Sequence, residues 1–144
     1  VEGHVADAVA RGATALAGGT SGPGLFYQPT VLVGVAPGMR IMDEETFGPV
    51  APVVTFTDDA EVVRQANATP YGLAAYLWTR DLGRAFRVAE ALDYGIVGVN
   101  DGLPSSAQAP FGGVKMSGVG REGGKWGIEE YLDVKYVLMG GVGL

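Results

Sequence analysis

The sequence predicts an α/β protein built on an open parallel sheet with flanking helices. Three observations predict it. From Val50 onward, short apolar runs alternate with amphipathic stretches of about ten residues, and strands joined by crossovers of that length pair in parallel. Apolar residues make up 47% and charged residues 18%, the balance of a chain that packs a core rather than one that stays disordered. At 144 residues the chain has the length of one ordinary domain.

The elements follow in order. Val1, Val5, Ala8 and Val9 recur at helical spacing, and Gly12 ends that helix. Thr14–Ala17 reads as a short strand before the turn-rich stretch Gly18–Gly24. Phe26–Val35 is β-branched and aromatic, hence extended, and Pro37-Gly38 closes it. Val50–Phe56 reads as a strand. Asp58 or Asp59 can cap a helix over Ala60–Ala68, because a carboxylate there accepts the unpaired amide hydrogens of the first turn. Leu73–Thr79 is a strand, Leu82–Leu92 a helix capped by Asp81, and Gly95–Val99 another strand. Doubly wound sheets hold ligands beyond the carboxyl ends of their strands. That draws attention to Asn100–Gly124, a loop rich in Gly, Pro and Ser and longer than the ~15 residues a structureless loop rarely exceeds. Lys125–Leu132 then reads as a short helix. Asp133–Met139 reads as a terminal strand, with Val134, Tyr136 and Leu138 alternating with Asp133, Lys135 and Val137.

Bulk properties exclude several functions. The net charge of −6, with its acids scattered, argues against nucleic acid and anionic membranes as partners. No apolar run approaches the ~20 residues of a membrane-spanning helix. With no Cys and one His, the chain offers no disulfide, no thiol catalysis and no Cys/His zinc site. These features fit the cytoplasm. Val1-Glu2-Gly3-His4 shows neither an initiator Met nor a signal-peptide pattern, so the chain is expected to be a piece of something longer.

The run Glu44-Glu45-Thr46-Phe47-Gly48-Pro49-Val50 has a plain reading, an acidic turn closed by Gly-Pro ahead of a strand. It also has a chemical one. A carboxylate accepts two ribose hydroxyls in charge-assisted hydrogen bonds, and an aromatic ring beside it offers an apolar wall to a nicotinamide. In an extended segment the i, i+2 spacing puts Glu45 and Phe47 on one side. A second run, Ala109-Pro110-Phe111-Gly112-Gly113-Val114-Lys115-Met116-Ser117-Gly118, follows about 60 residues later, then Gly120-Arg121-Glu122-Gly123. The first run resembles the Glu-x-Phe-Gly-Pro motif of aldehyde dehydrogenases. The second resembles the same family's Pro-Phe-Gly-Gly-x-Lys-x-Ser-Gly signature. Two motifs in the right order are far more specific than either alone.

The resemblance covers essentially the whole chain and is closest to succinate-semialdehyde dehydrogenases, notably through Tyr71–Tyr76, Glu90–Asn100 and Glu130–Tyr136. It implies NAD or NADP as cofactor, with Glu45 holding the nicotinamide ribose and Phe47 flanking the ring. It also implies a semialdehyde substrate, with Phe111 lining the aldehyde tunnel and Ser105 binding the substrate carboxylate by a hydroxyl hydrogen bond. Pro104 departs from the aliphatic residue expected there. In this family a Cys thiolate attacks the aldehyde, and a Glu-activated water releases the acid. A chain without Cys lacks the first step, so no catalytic residue is assigned and the segment alone is expected to be inactive. The expected organisation is 1–132 as the C-terminal part of the catalytic, cofactor-contacting region and 133–144 as an oligomerisation strand and tail. Partners would be the remainder of the dehydrogenase chain and further subunits of a homo-oligomer. The other class of reading is a non-catalytic assembly module pairing through its terminal strand, since exposed strand edges invite pairing. Glutarate-semialdehyde and other semialdehyde dehydrogenases are the alternatives within the enzyme class.

Other features carry less. Gly118–Gly123 fits G-x-G-x-x-G but lacks a preceding strand, and Gly124-Lys125 is followed by Trp126, so neither makes a phosphate loop. Arg121 and Glu122 read as charges that pair with each other or fix the loop to the body, Lys115 as a structural charge, His4 as a surface residue, and Trp78 and Trp126 as core or interface packing.

Overall fold

The computed structural model describes residues 1–141 and Gly143. It divides into two compact units, Val1–Glu61 and Val62–Leu144, each with its own sheet.

The first unit opens with helix α1 (Glu2–Ala10), whose buried residues His4, Val5 and Ala8 lie three and four apart on one face. Gly12, at φ 103°, ends it. Its amide donates to Val9 O and that of Ala13 to Ala8 O, the paired bonds of a Schellman stop, which needs a left-handed residue and therefore favours glycine. Strand β1 (Thr14–Ala17) pairs antiparallel with β2 (Thr30–Val33), with a bulge between Ala15 and Ala17. On its other side β2 pairs in parallel with β3 (Val50–Val53). A short helix, α2 (Arg40–Asp43), stands between β2 and β3. Leu32 of β2 is fully buried among Val5, Ala8, Ala13, Val35, Met39 and Ile41.

The second unit takes in most of α3 (Asp59–Asn67), then β4 (Ala74–Leu77), α4 (Leu82–Ala91) and β5 (Ile96–Val99). The strands β4 and β5 are parallel, with α4 as their crossover. Asp81 caps α4, its Oδ1 accepting from Arg84 N at 3.0 Å, and Asp58 does the same for Ala60 N at 3.0 Å. The C-terminal end of α3 is tied down by polar bonds. The Tyr94 hydroxyl donates to Ala66 O at 2.7 Å, the Asn67 amide group donates to Ala91 O, and its Oδ1 accepts from Asp93 N.

The α/β class with parallel strands and flanking helices is therefore observed, and several details differ from expectation. The strands are four residues long, shorter than their apolar runs, because a ladder extends only as far as a neighbour pairs with it. The β1–β2 pair is antiparallel. The short helix expected over Lys125–Leu132 is present as a 3-10 helix, Trp126–Tyr131, whereas an unexpected 3-10 turn at Lys115–Ser117 interrupts the long loop. Residues 133–139 pair with nothing among the described residues, so the terminal strand is not formed within the single chain. Val142 and Leu144, part of the expected tail, lie outside the described residues. Among the described residues no helix is long and apolar enough to cross a membrane.

Candidate functional site

In the first unit, α2 ends at Asp43 and the chain turns extended at Glu44. The Arg40 guanidinium donates from Nε and Nη2 to the two oxygens of Glu44, each at 2.9 Å. His4 Nε2 lies 3.0 Å from Glu44 Oε2, and His4 Nδ1 lies 3.0 Å from Thr46 Oγ1. The Arg40 fork, with His4 second, pulls the Glu44 carboxyl down to about 2. Asp7 accepts from Arg40 N and from Arg11 Nε, both at 2.9 Å. Its carboxyl is held below the ordinary range, chiefly by the Arg40 amide.

Between these anchors sits Glu45, exposed, with no hydrogen bond to its carboxylate among the described residues. Phe47 follows at φ 40° with 91% of its surface exposed. A bulky side chain on left-handed backbone is an outlier, and such strain persists only where the surroundings hold it. The segment is thus not uniformly extended, which removes the alternation argument for placing Glu45 and Phe47 on one side. What the structure does show is both side chains open to solvent, on a backbone fixed immediately before and after Glu45.

In the second unit, Ser105 and Phe111 come together. With Ser106, Ala107, Glu122 and Gly123 they line a cavity of about 330 Å³. Phe111 is held by reciprocal backbone bonds with Glu122, Phe111 N to Glu122 O at 2.7 Å and Glu122 N to Phe111 O at 2.8 Å. Arg121 fixes the loop from behind, its Nη1 donating to Gly113 O at 2.8 Å and Gly120 O at 2.6 Å. The Lys115 ammonium donates to Asn67 O and Thr69 O and lies 5.6 Å from the centre of the Tyr94 ring. Both cations hold backbone, as a loop-fixing role requires. Glycine is needed at 112 because a Cβ there would sit 2.7 Å from Gly120 O and 2.8 Å from Arg121 Cδ.

The motifs and the fold meet in known proteins. The family model described as "Aldehyde dehydrogenase family" matches residues 1–137. The chain belongs to the aldehyde dehydrogenase family. It is 55% identical over 142 residues to the NADP(+) succinate-semialdehyde dehydrogenase of Escherichia coli K12, covering 97% of this chain and 30% of that protein. It is 54% identical to the glutarate-semialdehyde dehydrogenase of Pseudomonas aeruginosa, covering 99% and 30%. A crystal structure described as an E. coli NADP-dependent enzyme superposes with a TM-score of 0.91 at 55% identity, covering 94% of this chain and 29% of that one. The chain spans under a third of the length of these aldehyde dehydrogenases.

One sequence reading is corrected and one is narrowed. His4 is not a surface residue: it is only 8% exposed and bonded on both ring nitrogens. Its helical periodicity placed it beside Val5 and Ala8, and that was the available signal, but its partners lie 40 and 42 residues away, beyond any local pattern. Trp78 is 66% exposed, with its ring 6.3 Å from that of Tyr76, so of core and interface packing only the interface reading fits it.

Proposed function

We propose that the chain is the part of an NAD(P)-dependent aldehyde dehydrogenase that carries the nicotinamide-ribose anchor and the substrate loop. The enzyme would oxidise a semialdehyde, succinate semialdehyde first, to the dicarboxylic acid. The reading is carried by one observation. An uncommitted carboxylate, Glu45, and an exposed ring on strained backbone, Phe47, sit in a segment whose neighbours are anchored. That fits the cofactor: both oxygens of Glu45 are available to accept ribose hydroxyls, and Phe47 offers an apolar wall. When bound, NAD or NADP supplies the hydride acceptor. In the second unit, Ser105 donates one hydrogen bond to the remote substrate carboxylate, and Phe111 lines the aldehyde's path.

A lone hydroxyl does not neutralise a carboxylate, so the countercharge comes from another segment of the enzyme. So does the nucleophile, since this chain has no Cys and cannot make the thiolate that attacks the aldehyde. Glutarate semialdehyde is the competing substrate, because one methylene is worth only about 10–200-fold in discrimination. The enzyme would be cytoplasmic and a homo-oligomer. Residues 133–139 would pair with a neighbouring subunit. Val134, Tyr136 and Leu138 are 100%, 82% and 79% exposed, an alternating apolar edge with no strand partner among the described residues.

The test is to graft this chain in place of the corresponding segment of the E. coli relative and assay succinate semialdehyde. Glu45→Gln should raise KM for the cofactor roughly 10–100-fold, the loss of charge-assisted bonds. Ser105→Ala should raise KM for the aldehyde by about 5–10-fold, the loss of one neutral donor. Turnover by the isolated 144-residue chain, or a Glu45→Gln graft with unchanged cofactor kinetics, ends the reading.

A further inference from the structure

We infer that His4 is the positioning residue of the Glu45–Phe47 element, clamping the residues on both sides of Glu45 with one imidazole. The inference rests on the cofactor reading above for its importance, and on geometry for its content. His4 is buried, and a buried imidazole needs both ring nitrogens satisfied. Glu44 satisfies Nε2 and Thr46 satisfies Nδ1, each at 3.0 Å. The residue between them is the candidate ribose anchor, and the residue after Thr46 is the strained Phe47.

The clamp has a rigid base. Glu44 is gripped by the Arg40 fork, and the Arg40 amide is bonded to Asp7. Asp7 and His4 lie three apart on α1, on adjacent turns of one face. One helix therefore supplies both the bracket and the support beneath it. The carboxylate of Glu44 can only accept, so Nε2 carries a proton and donates. In a neutral ring Nδ1 then accepts from the Thr46 hydroxyl. In a charged ring Nδ1 donates, and the hydroxyl turns to accept. Both contacts can be made in either state of the ring. Removing it frees the 44–46 backbone and lets Phe47 leave its left-handed conformation.

The experiment is backbone 15N NMR relaxation on the 144-residue chain, which needs no cofactor. His4→Ala should lower the order parameters of 44–48 from those of a held segment to those of a mobile loop, below about 0.6, while β2 keeps its values. Thr46→Val should lower them less, and Thr46→Ser, which keeps the hydroxyl, should leave them unchanged. Val5→Ala is the control for general loosening, expected to act across the first unit without favouring 44–48. The inference is overturned if His4→Ala leaves 44–48 unchanged or lowers order only in step with the whole unit. Should His4→Ala not fold, Thr46→Val decides, and wild-type order at 44–48 in that variant overturns it. A Glu45→Gln graft with normal cofactor KM would instead remove the cofactor reading and leave the clamp standing.

Discussion

Residues 1–61 bury seven hydrophobic side chains, whereas in the second unit, among the described residues, only Gly72, Gly98 and Gly113 are buried. The first unit closes its own core, with α1 against Leu32 of β2. The second presents the apolar runs of parallel strands, Ala74–Leu77 and Ile96–Val99, half-exposed, although such strands are normally covered on both faces. Helix α4 also leaves Leu82 and Phe86 open, at 72% and 62%. The loops differ in the same way. Around Glu45 the backbone is held by charged and polar side chains. Around Phe111 it is held by backbone bridges, close glycine contacts and cations aimed at carbonyls. A core buried within its own unit stabilises that unit, although Leu16, Leu25 and Phe26 stay exposed there too; a unit without such a core needs a surface from elsewhere, which the proposed enzyme would supply.

The contrast is broken most directly by truncation. Leu32→Ala should cost about 2–5 kcal/mol, the loss on deleting a fully buried leucine side chain. Ile96→Ala, at a half-exposed position, should cost about half of that or less. Urea unfolding of both variants measures this, and equal losses would erase the distinction. Next comes Asp81→Ala, which removes the α4 cap and should cost about 1 kcal/mol. In a unit with so little burial, far-ultraviolet circular dichroism on heating should show that loss as early melting of helix.

The smallest effect concerns acid. Glu44 falls from an ordinary 4.5 to about 2 in the folded chain. A carboxyl depressed on folding adds stability that is fully present above 4.5 and is lost as pH falls toward about 2. Backbone order at 44–48, followed by NMR relaxation, should therefore decline across that window. The Phe111 and Glu122 amides, bonded to carbonyls, should keep theirs. Simultaneous loss at both places would show that charge holds the second loop too.

Local chemistry was legible in the sequence. The Gly12 stop and the Asp81 cap depend on neighbours within five residues and stand as read; of Asp58 and Asp59 it is Asp58 that accepts from Ala60 N, and of the α1 stripe Val5 and Ala8 are buried while Val1 and Val9 are exposed. Pairing was less legible. The antiparallel β1–β2 register depends on residues about 15 positions apart, and an alternating run such as 133–139 becomes a strand only beside a partner. Of the candidate site, Ser105 and Phe111 line one cavity, and Glu45 and Phe47 are exposed. The positive φ at Phe47 has no signal in the sequence, and the partners of His4, 40 and 42 residues away, lie beyond any local pattern.

The backbone at Phe47 has one further consequence for anyone redesigning this protein. Asn or Gly tolerates that conformation far better than phenylalanine, so a screen that rewards only a higher melting temperature should favour either one. The winner would be a sturdier molecule stripped of the aromatic face it had been holding, at some strain, out toward the water.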